Sequence, residues 1–282
     1  MKNTLLKNVI ATTPQLQRAR GAAAIVTKQR DGRTRLDQLF QDGCGKIRLP
    51  NTHSSALEAV LINTAGGITG GDQLQWRAEV AAGGHLVVTT QACERSYRST
   101  GDTARVETRL KVGAGAHLDW LPQETILFEA SKLDRRLDIE LDAGATLTAI
   151  EAILLGRDAM GEEARDAELR DNWRIYRCGR LIHAEATQLT GAGSERDGLS
   201  LLAHCRAFAS IVHIAADADR AEILRDRIRT ILPANGQIAA SANGERLVIR
   251  AMARSGLALR RLIVPTLLEL TGAGSLPRLW HL

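Results

Sequence analysis

A twelve-residue pattern recurs three times in the chain, and it restricts the fold more than any other feature. The copies are AAGGHLVVTTQA (81–92), GAGAHLDWLPQE (113–124) and DAGATLTAIEAI (142–153), and they start 32 and 29 residues apart. Each copy places a glycine turn before an apolar strand that ends in polar residues. A single unit of this kind cannot bury both faces, but stacked units can. The pattern predicts a mainly β fold of stacked sheets, and a flat sandwich is the alternative.

Turn and periodicity signals predict the elements around this repeat. The turn RDG (30–32) lies between two apolar stretches and predicts a hairpin, and QLQWRAEV (73–80) alternates as a strand does. Helices are predicted near 217–233 and 256–271, with Asp217 or Asp219 as the first N-cap and a kink or break at Pro265. A hairpin ending in RLVIRAMA is predicted between them. We expect a flexible leader (1–20) and a single domain (21–282).

Charge and composition exclude several functional classes. The net charge is +5, but no block of five or six basic residues occurs, and only 3% of the residues are aromatic. A basic arm for nucleic acid and a stacking surface for single strands are therefore not indicated. The charge fits an acidic protein partner better, although salt-sensitive binding by a general basic module stays an alternative.

The cysteines and the apolar runs indicate a compartment. The four cysteines are far apart and form no Cys-x-x-Cys pair, which argues against a zinc finger or a thioredoxin-like site. The N-terminus has no signal-peptide core, and no apolar run is long enough to span a membrane. We therefore expect a cytoplasmic chain with no membrane span.

The stretch NTAGGITGGD (63–72) raises the question of phosphate binding. Its glycines are Gly66, Gly67, Gly70 and Gly71, and Asp72 follows them directly. A phosphate-binding loop needs a lysine at that point and a helix behind it, whereas this stretch is followed by a strand. The pattern predicts a tight turn that depends on glycine, not a nucleotide site.

Several polar residues interrupt apolar strands. Glu151 shares a strand face with apolar residues, Glu185 shares one with His183 and Thr187, and Thr89 and Thr90 end an apolar run. Burying a carboxylate is costly unless it is paired, metal-bound or wet. These positions predict either a water-filled interior passage or arginine partners, for which Arg95, Arg98 and Arg157 are candidates.

The histidines do not show a recognisable metal-binding spacing. All seven are scattered, with neither His-Glu-x-x-His nor facial-triad spacing, so no fixed tight metal site is predicted. One enzymatic alternative pairs Glu124 with His117 for acid–base chemistry on a β scaffold. The two residues are seven apart, and a shared pocket would require a bend at Pro122.

Five segments together resemble the urease accessory protein family called UreD or UreH. They are NTAGGITGGD, TTQACERSYRS, WLPQETILFE, LLGRDAMGE and LPRLW, and they run in order from about residue 17 to the end. The resemblance implies a non-catalytic scaffold, similar to a right-handed β-helix with a few helices. It implies binding to apo-urease and to the helical protein UreF, which recruits the nickel-carrying GTPase UreG, in a dimer of heterocomplexes.

The resemblance also implies that nickel crosses an internal passage without a tightly bound cofactor. Thr89, Thr90, Glu151 and Glu185 are expected to line that passage, and the C-terminal helices are expected to contact UreF. Structural or contact roles are expected for the remaining motif residues, which are Gly66, Gly67, Gly70, Gly71, Asp72, Tyr97, Arg98, Gln123 and Glu124.

Overall fold

The computed structural model describes residues 17–52, 54–190, 195–234, 237–272 and 274–281. Most of the predicted leader, residues 1–16, lies outside the described residues, and the first strand begins at Arg20. Whether the rest forms one independent domain stays a prediction.

Seventeen strands form within these residues. In chain order they are β1 (Arg20–Arg30), β2 (Arg33–Gly43), β3 (Gly45–Arg48), β4 (Leu57–Asn63), β5 (Gln73–Val80), β6 (His85–Thr90), β7 (Glu94–Ser96), β8 (Ala104–Val112), β9 (His117–Leu121), β10 (Thr125–Leu127), β11 (Lys132–Leu141), β12 (Thr146–Leu155), β13 (Glu168–Arg177), β14 (Arg180–Leu189), β15 (Ala207–Ile214), β16 (Ile238–Asn243) and β17 (Arg246–Ala253).

The helices are few and lie mostly toward the C-terminus. The α-helices are α1 (Ala218–Ile231) and α2 (Gly256–Leu270), and short 3₁₀ helices span Asp158–Met160, Glu195–Asp197 and Arg278–His281. The two predicted helices and the hairpin between them, β16 and β17, are therefore confirmed.

The strands form two sheets. The seven-stranded sheet has the order β14-β13-β11-β8-β5-β1-β2. The ten-stranded sheet has the order β16-β17-β15-β12-β9-β6-β4-β3, and the short strands β7 and β10 pair beside β12. The central pairs in both sheets are parallel. The predicted β-rich stacked fold is confirmed, and its central units repeat as in a solenoid.

The three sequence copies occupy equivalent places in this stack. Each begins with the turn that leads from a strand of the seven-stranded sheet into a strand of the ten-stranded sheet, which is β6, β9 or β12. Gly83, Gly115 and Gly144 hold the same position in these turns, with φ of 65°, 62° and 68°. The turns bond to one another, because Gly83 N donates to Ala114 O at 2.9 Å and Gly115 N to Ala143 O at 3.0 Å.

The strand alternation produces two apolar cores. One core lies between the two sheets and contains large residues such as Trp173, Leu118 and Ile139. The other lies between the ten-stranded sheet and the helices and contains Ile211 and Ile263. The molecule is thus built as two sheets with a helical layer on one side, and the strands β6, β9, β12 and β15 of the ten-stranded sheet contribute to both cores.

Both helices begin at an N-cap, and that of α1, Asp217, is one of the two residues predicted. The side chains of Asp217 and Ser255 accept hydrogen bonds from the backbone N–H three residues ahead, as N-caps do. The break predicted as one possibility at Pro265 is absent, since α2 runs continuously through it. The buried face of α2, which includes Leu259, Ile263 and Leu267, packs into the second core, and this tertiary packing maintains the helix past the proline.

Replacing Gly115 by alanine tests the importance of the stacked turns. A Cβ at this position meets no atom within 4 Å, so the strain comes from the positive φ alone. We expect Gly115→Ala to lower the free energy of unfolding by about 1 kcal/mol. Gly115→Asn should lower it less, because asparagine tolerates this backbone conformation. Urea unfolding measures both, and equal stability of Gly115→Ala and the parent would contradict the prediction.

Candidate functional site

A cavity of about 300 Å³ lies between the sheets where several parallel strands end. Polar residues that follow the apolar strand interiors converge there, as the carboxyl ends of neighbouring parallel strands must. The side chains that give it chemical character are Asn63, Thr90, Cys93, Glu94, Gln123, Arg135, Glu151 and Asp171. The glycine stretch borders the same cavity through Gly66 and Gly67.

Glu151 belongs to an ionic cluster inside this cavity. Its Oε2 accepts a hydrogen bond from Arg135 Nη1 at 2.6 Å, and its Oε1 accepts one from Trp120 Nε1 at 3.0 Å. Arg135 also donates from Nη2 to Asp171 Oδ2 at 2.5 Å. With both carboxyls ionised, the cluster holds two negative charges against one positive charge. Burial raises the pKa of Glu151 above its ordinary value, and Arg135 only partly offsets this effect.

The arginine partner of Glu151 is one that the sequence did not suggest. Arg135 comes from β11 in the opposite sheet, whereas Arg157, one of the suggested candidates, pairs with Glu162 on the surface. The expectation that Glu151 shares a face with apolar residues is met, because its neighbours Ala149 and Ile153 lie in the core between the sheets.

Glu185 lies in a second polar group one strand further along. Its Oε1 accepts hydrogen bonds from Ser210 Oγ and from Arg250 Nη1, each at 2.6 Å. Its Oε2 lies 3.5 Å from His183 Nε2. Burial would raise the pKa of Glu185, but the nearby His183 and the hydrogen bonds from Arg250 and Ser210 outweigh this effect and lower the pKa to about 2. The carboxyl is therefore ionised at neutral pH.

Ser210 and Arg250 line a second cavity, of about 740 Å³, which also includes Thr187. Residues that line the first cavity are strand partners of residues that line the second. Glu151 in the first pairs with Ser210 in the second, and Asp171 in the first pairs with Thr187 in the second. Adjacent strands are ~4.8 Å apart, so the polar side chains that border the two cavities lie on neighbouring strands in both sheets. We call the Arg135–Glu151–Asp171 and Glu185–Ser210–Arg250 groups the polar seam.

The two threonines predicted beside the passage lie on opposite faces of β6. Thr90 lines the first cavity, and its Oγ1 accepts a hydrogen bond from Gln123 N at 2.8 Å. Thr89 is fully buried and lines neither of the two cavities, and its strand partner Leu121 belongs to the helix-side core. Among the predicted passage residues, the structure therefore brings Thr90, Glu151 and Glu185 to the space between the sheets.

Glu94 is a second carboxyl of the first cavity whose pKa is raised. Burial raises its pKa to about 7, and the hydrogen bonds from Asn63 Nδ2, at 3.2 and 3.3 Å, offset only part of this effect. A carboxyl of this kind changes its charge close to neutral pH.

Gln123 and Glu124 attach the cavity wall to α2. Arg260 of α2 donates to Glu124 Oε1 at 2.6 Å and to Oε2 at 2.9 Å, and it also bonds to Gln123 Oε1. Burial would raise the pKa of Glu124, but the Arg260 bonds more than offset it, so the pKa is lowered. His117 bonds elsewhere, to Asp119 and Thr146, so the structure does not bring the Glu124–His117 pair together.

The glycine stretch is a compact loop held by Asp72. This buried carboxylate accepts hydrogen bonds from Ala19 N and Thr69 N, both at 2.8 Å. A Cβ on Gly67 would lie 2.3 Å from the Tyr97 ring, so Tyr97 packs directly on the backbone of the loop. Gly70 is confined by Ser99 and Asp102, and Arg98 O accepts a hydrogen bond from Thr69 Oγ1 at 2.8 Å.

One cluster was missed by the sequence reasoning. His85, His117 and Asp119 offer ligand atoms that all lie within 4.8 Å of one another. Burial would raise the pKa of Asp119, but the two histidines outweigh it and lower the pKa to about 2. The signal was present in the repeat, since His85 and His117 occupy the same position in two successive copies. Spacing rules for a single segment do not detect ligands contributed by separate stacked strands.

Comparison with known proteins gives one family. The chain matches the family model described as UreD urease accessory protein over residues 19–281. A protein named urease accessory protein UreD from Chelativorans sp. (strain BNC1) is 59% identical over 272 residues, covering 96% of this chain and 97% of that protein. Proteins with the same name from Rhizobium etli and Agrobacterium fabrum are 44% and 47% identical, covering 97% and 94% of this chain and 99% and 92% of their own lengths.

Neither α-helix within the described residues combines the length and hydropathy that a membrane crossing needs.

Glu94 gives a testable pH dependence. Its pKa is about 7 in the folded chain and near 4.5 when unfolded, so the folded state binds more protons between these values. The stability that Glu94 contributes is fully present below pH 4.5 and is lost as the pH rises through about 7. We expect Glu94→Gln, which stays neutral, to remove this decline. Urea unfolding from pH 5 to pH 8 measures it, with Glu140→Gln on the exposed face of β11 as the control. An unchanged decline in Glu94→Gln would contradict the prediction.

Proposed function

Because the chain belongs to the UreD family of urease accessory proteins, we propose that it is a non-catalytic scaffold that passes nickel to apo-urease through the space between its sheets. In this proposal the chain binds apo-urease and UreF, and UreF recruits the nickel-carrying GTPase UreG. Nickel is the cargo, and no tightly bound cofactor is required. The observation that supports the passage is the polar seam, whose two groups border two cavities and lie on neighbouring strands in both sheets.

The charge of the seam supports passage of a cation. Glu151 and Asp171 face Arg135, which leaves a net negative charge at that point when both carboxyls are ionised. Oxygen atoms along the wall can replace part of the hydration shell of a divalent ion, and conduction requires that no single position bind it too tightly. The arginines meet this second condition, because each one competes with an ion for the same carboxylate.

Movement of the Arg250 side chain would open the polar seam to an ion at Glu185. Its side chain is 55% exposed, whereas Glu185, its partner, is 6% exposed. The end of the long Arg250 side chain can move into water, but the buried Glu185 then needs another counter-charge, which an incoming cation would supply. When Arg250 moves away, Glu185 would offer its carboxylate to an ion at the border of the second cavity.

The outer faces of the helices support a contact with another protein. Ile223 of α1 and Leu257 and Leu268 of α2 are 51%, 64% and 41% exposed. The opposite faces of both helices are buried in the second core. Exposed apolar residues on neighbouring helices are typical of interaction surfaces, and we assign this face to the helical partner UreF.

Co-purification tests the scaffold role. We expect the tagged chain, co-expressed with the urease subunits, UreF and UreG of the same organism, to retain UreF and apo-urease on the affinity column. Leu257→Asp should reduce recovery of UreF, because it places a charge in the proposed contact. Leu181→Asp, on the similarly exposed Leu181 of β14, is the control and should not change the recovery. Elution of the chain alone would contradict the scaffold role.

Substitutions in the seam test the passage. We expect Glu151→Gln and Glu185→Gln to lower the nickel content of co-expressed urease, with the double variant giving the lowest value. Both changes keep the side-chain volume and remove the charge that the ion needs. Glu140→Gln, on the exposed face of β11, is the matched control. Metal analysis of purified urease and co-purification of UreF are measured in parallel. Unchanged nickel content in the double variant would show that the seam is not the passage.

A further inference from the structure

We infer that His85, His117 and Asp119 form a binding site for one divalent transition-metal ion of the Ni²⁺ or Zn²⁺ class. His85 Nε2 lies 2.8 Å from Asp119 Oδ2, and His117 Nε2 lies 2.9 Å from Asp119 Oδ1. Two imidazole nitrogens and a carboxylate oxygen are a ligand set that these ions favour. Ligand atoms on opposite sides of such an ion are ~4.2 Å apart. The three ligand atoms here all lie within 4.8 Å of one another, so their separations are close to those around a bound ion.

The stacked repeat brings these ligands together. His85 and His117 are the first residues of β6 and β9, and they are partners in the parallel register. Asp119 lies two residues further along β9, so its side chain points to the same face of the sheet. Its strand partner Val87 belongs to the helix-side core. The cluster therefore lies on the face toward the helices and at the strand starts, away from the polar seam.

The charge of Asp119 is a second reason for a metal. Its side chain is fully buried, and within the described part of the chain its hydrogen bonds and ion pairs go only to the two histidines. Neutral imidazoles would leave this buried negative charge without a counter-ion, which is costly. A divalent cation at the same place would neutralise the carboxylate and use the lone pairs of both imidazoles.

The surroundings of the cluster resemble the supporting shell of a metal site. His117 Nδ1 lies 2.6 Å from Thr146 Oγ1, and Thr146 is the equivalent strand-start residue of the third copy. A hydrogen bond from Nδ1 to such a partner fixes the ring and leaves Nε2 free to bind a metal. Thr148 Oγ1, two residues further on, donates to Leu270 O at 3.2 Å and joins this edge to the end of α2.

The chain that follows α2 covers the site. A Cβ on Gly272 would lie 2.8 Å from His117 Cδ2 and 3.2 Å from His85 Cε1, so the glycine backbone rests against both rings. The carboxyl end of a helix also carries a partial negative charge that favours a nearby cation. Access is retained, because the side chains of His85 and His117 are 20% and 16% exposed. An ion could therefore enter from solvent without unfolding the sheet.

This inference does not depend on the proposed role in urease maturation. The site is built from the chain's own residues, and its test requires neither urease nor UreF. A failure of metal binding would leave the scaffold role intact, and a failure of co-purification would leave the metal site intact.

Calorimetric titration of the purified full-length chain with NiCl₂, and separately with ZnCl₂, tests the site. The chain carries an affinity tag without histidine and is stripped of metal beforehand. We expect one site per chain that is weakened at least about tenfold in His85→Gln and in His117→Gln. Thr146→Val should weaken it to a smaller degree. Binding of Co²⁺ should give a visible absorption spectrum that changes in the same variants.

His204→Asn is the matched control, because the His204 side chain is 72% exposed and lies outside the cluster. Glu140→Gln, on the exposed face of β11 and outside both the cluster and the polar seam, is a second control. Far-ultraviolet circular dichroism checks that each variant is folded, and His85→Gln, at a partly exposed position, keeps the test valid if His117→Gln is unstable. Unchanged titrations in folded His85→Gln, or no binding by the parent, would overturn the inference and leave a hydrogen-bonded His–Asp–His group.

Discussion

The structure depends on the in-register stacking of three glycine turns. Gly83, Gly115 and Gly144 adopt positive φ, which costs other residues energy, and the turns bond directly to one another. This contact sets the level at which β6, β9 and β12 start, and the register continues along each strand. The apolar alternation can form two cores only because every copy starts at the same level. The positions of the first cavity and of the histidine cluster follow from the same register.

The two polar regions of the molecule balance buried charge in different ways. In the polar seam each carboxylate has an arginine partner, and Arg135 is shared between Glu151 and Asp171. On the helix side, the partners of Asp119 among the described residues are the two histidines. Permanently charged arginines compete with an ion for the carboxylates, so they suit a region that an ion would cross without binding tightly. Imidazoles, which are uncharged when they bind a metal, suit a position where an ion would stay.

Local patterns in the sequence predicted much of the fold but little of the long-range pairing. The alternation of Glu151 with apolar residues identified its face correctly, because strand periodicity is a local property. Its partner Arg135 could not be identified, since the contact crosses from one sheet to the other. Thr89 and Thr90 were both assigned to the passage from the resemblance, although neighbouring strand residues face opposite ways. Of the kink or break predicted at Pro265, the break is absent, because tertiary packing overrides local propensity.

The stack has one edge of fixed length and one edge of variable length. The turns at 81–84, 113–116 and 142–145 each contain four residues, whereas the connections at the other edge span 91–103 and 122–131. The unequal offsets between the copies therefore arise at the cavity edge. Residues can be gained or lost in these connections while the same side chains of the next strand still face inward. The length of this edge can therefore vary while the chain keeps its fold. At the turn edge a single inserted residue would disturb the stacked turns and shift the register of the strand that follows, which would exchange its inward and outward side chains.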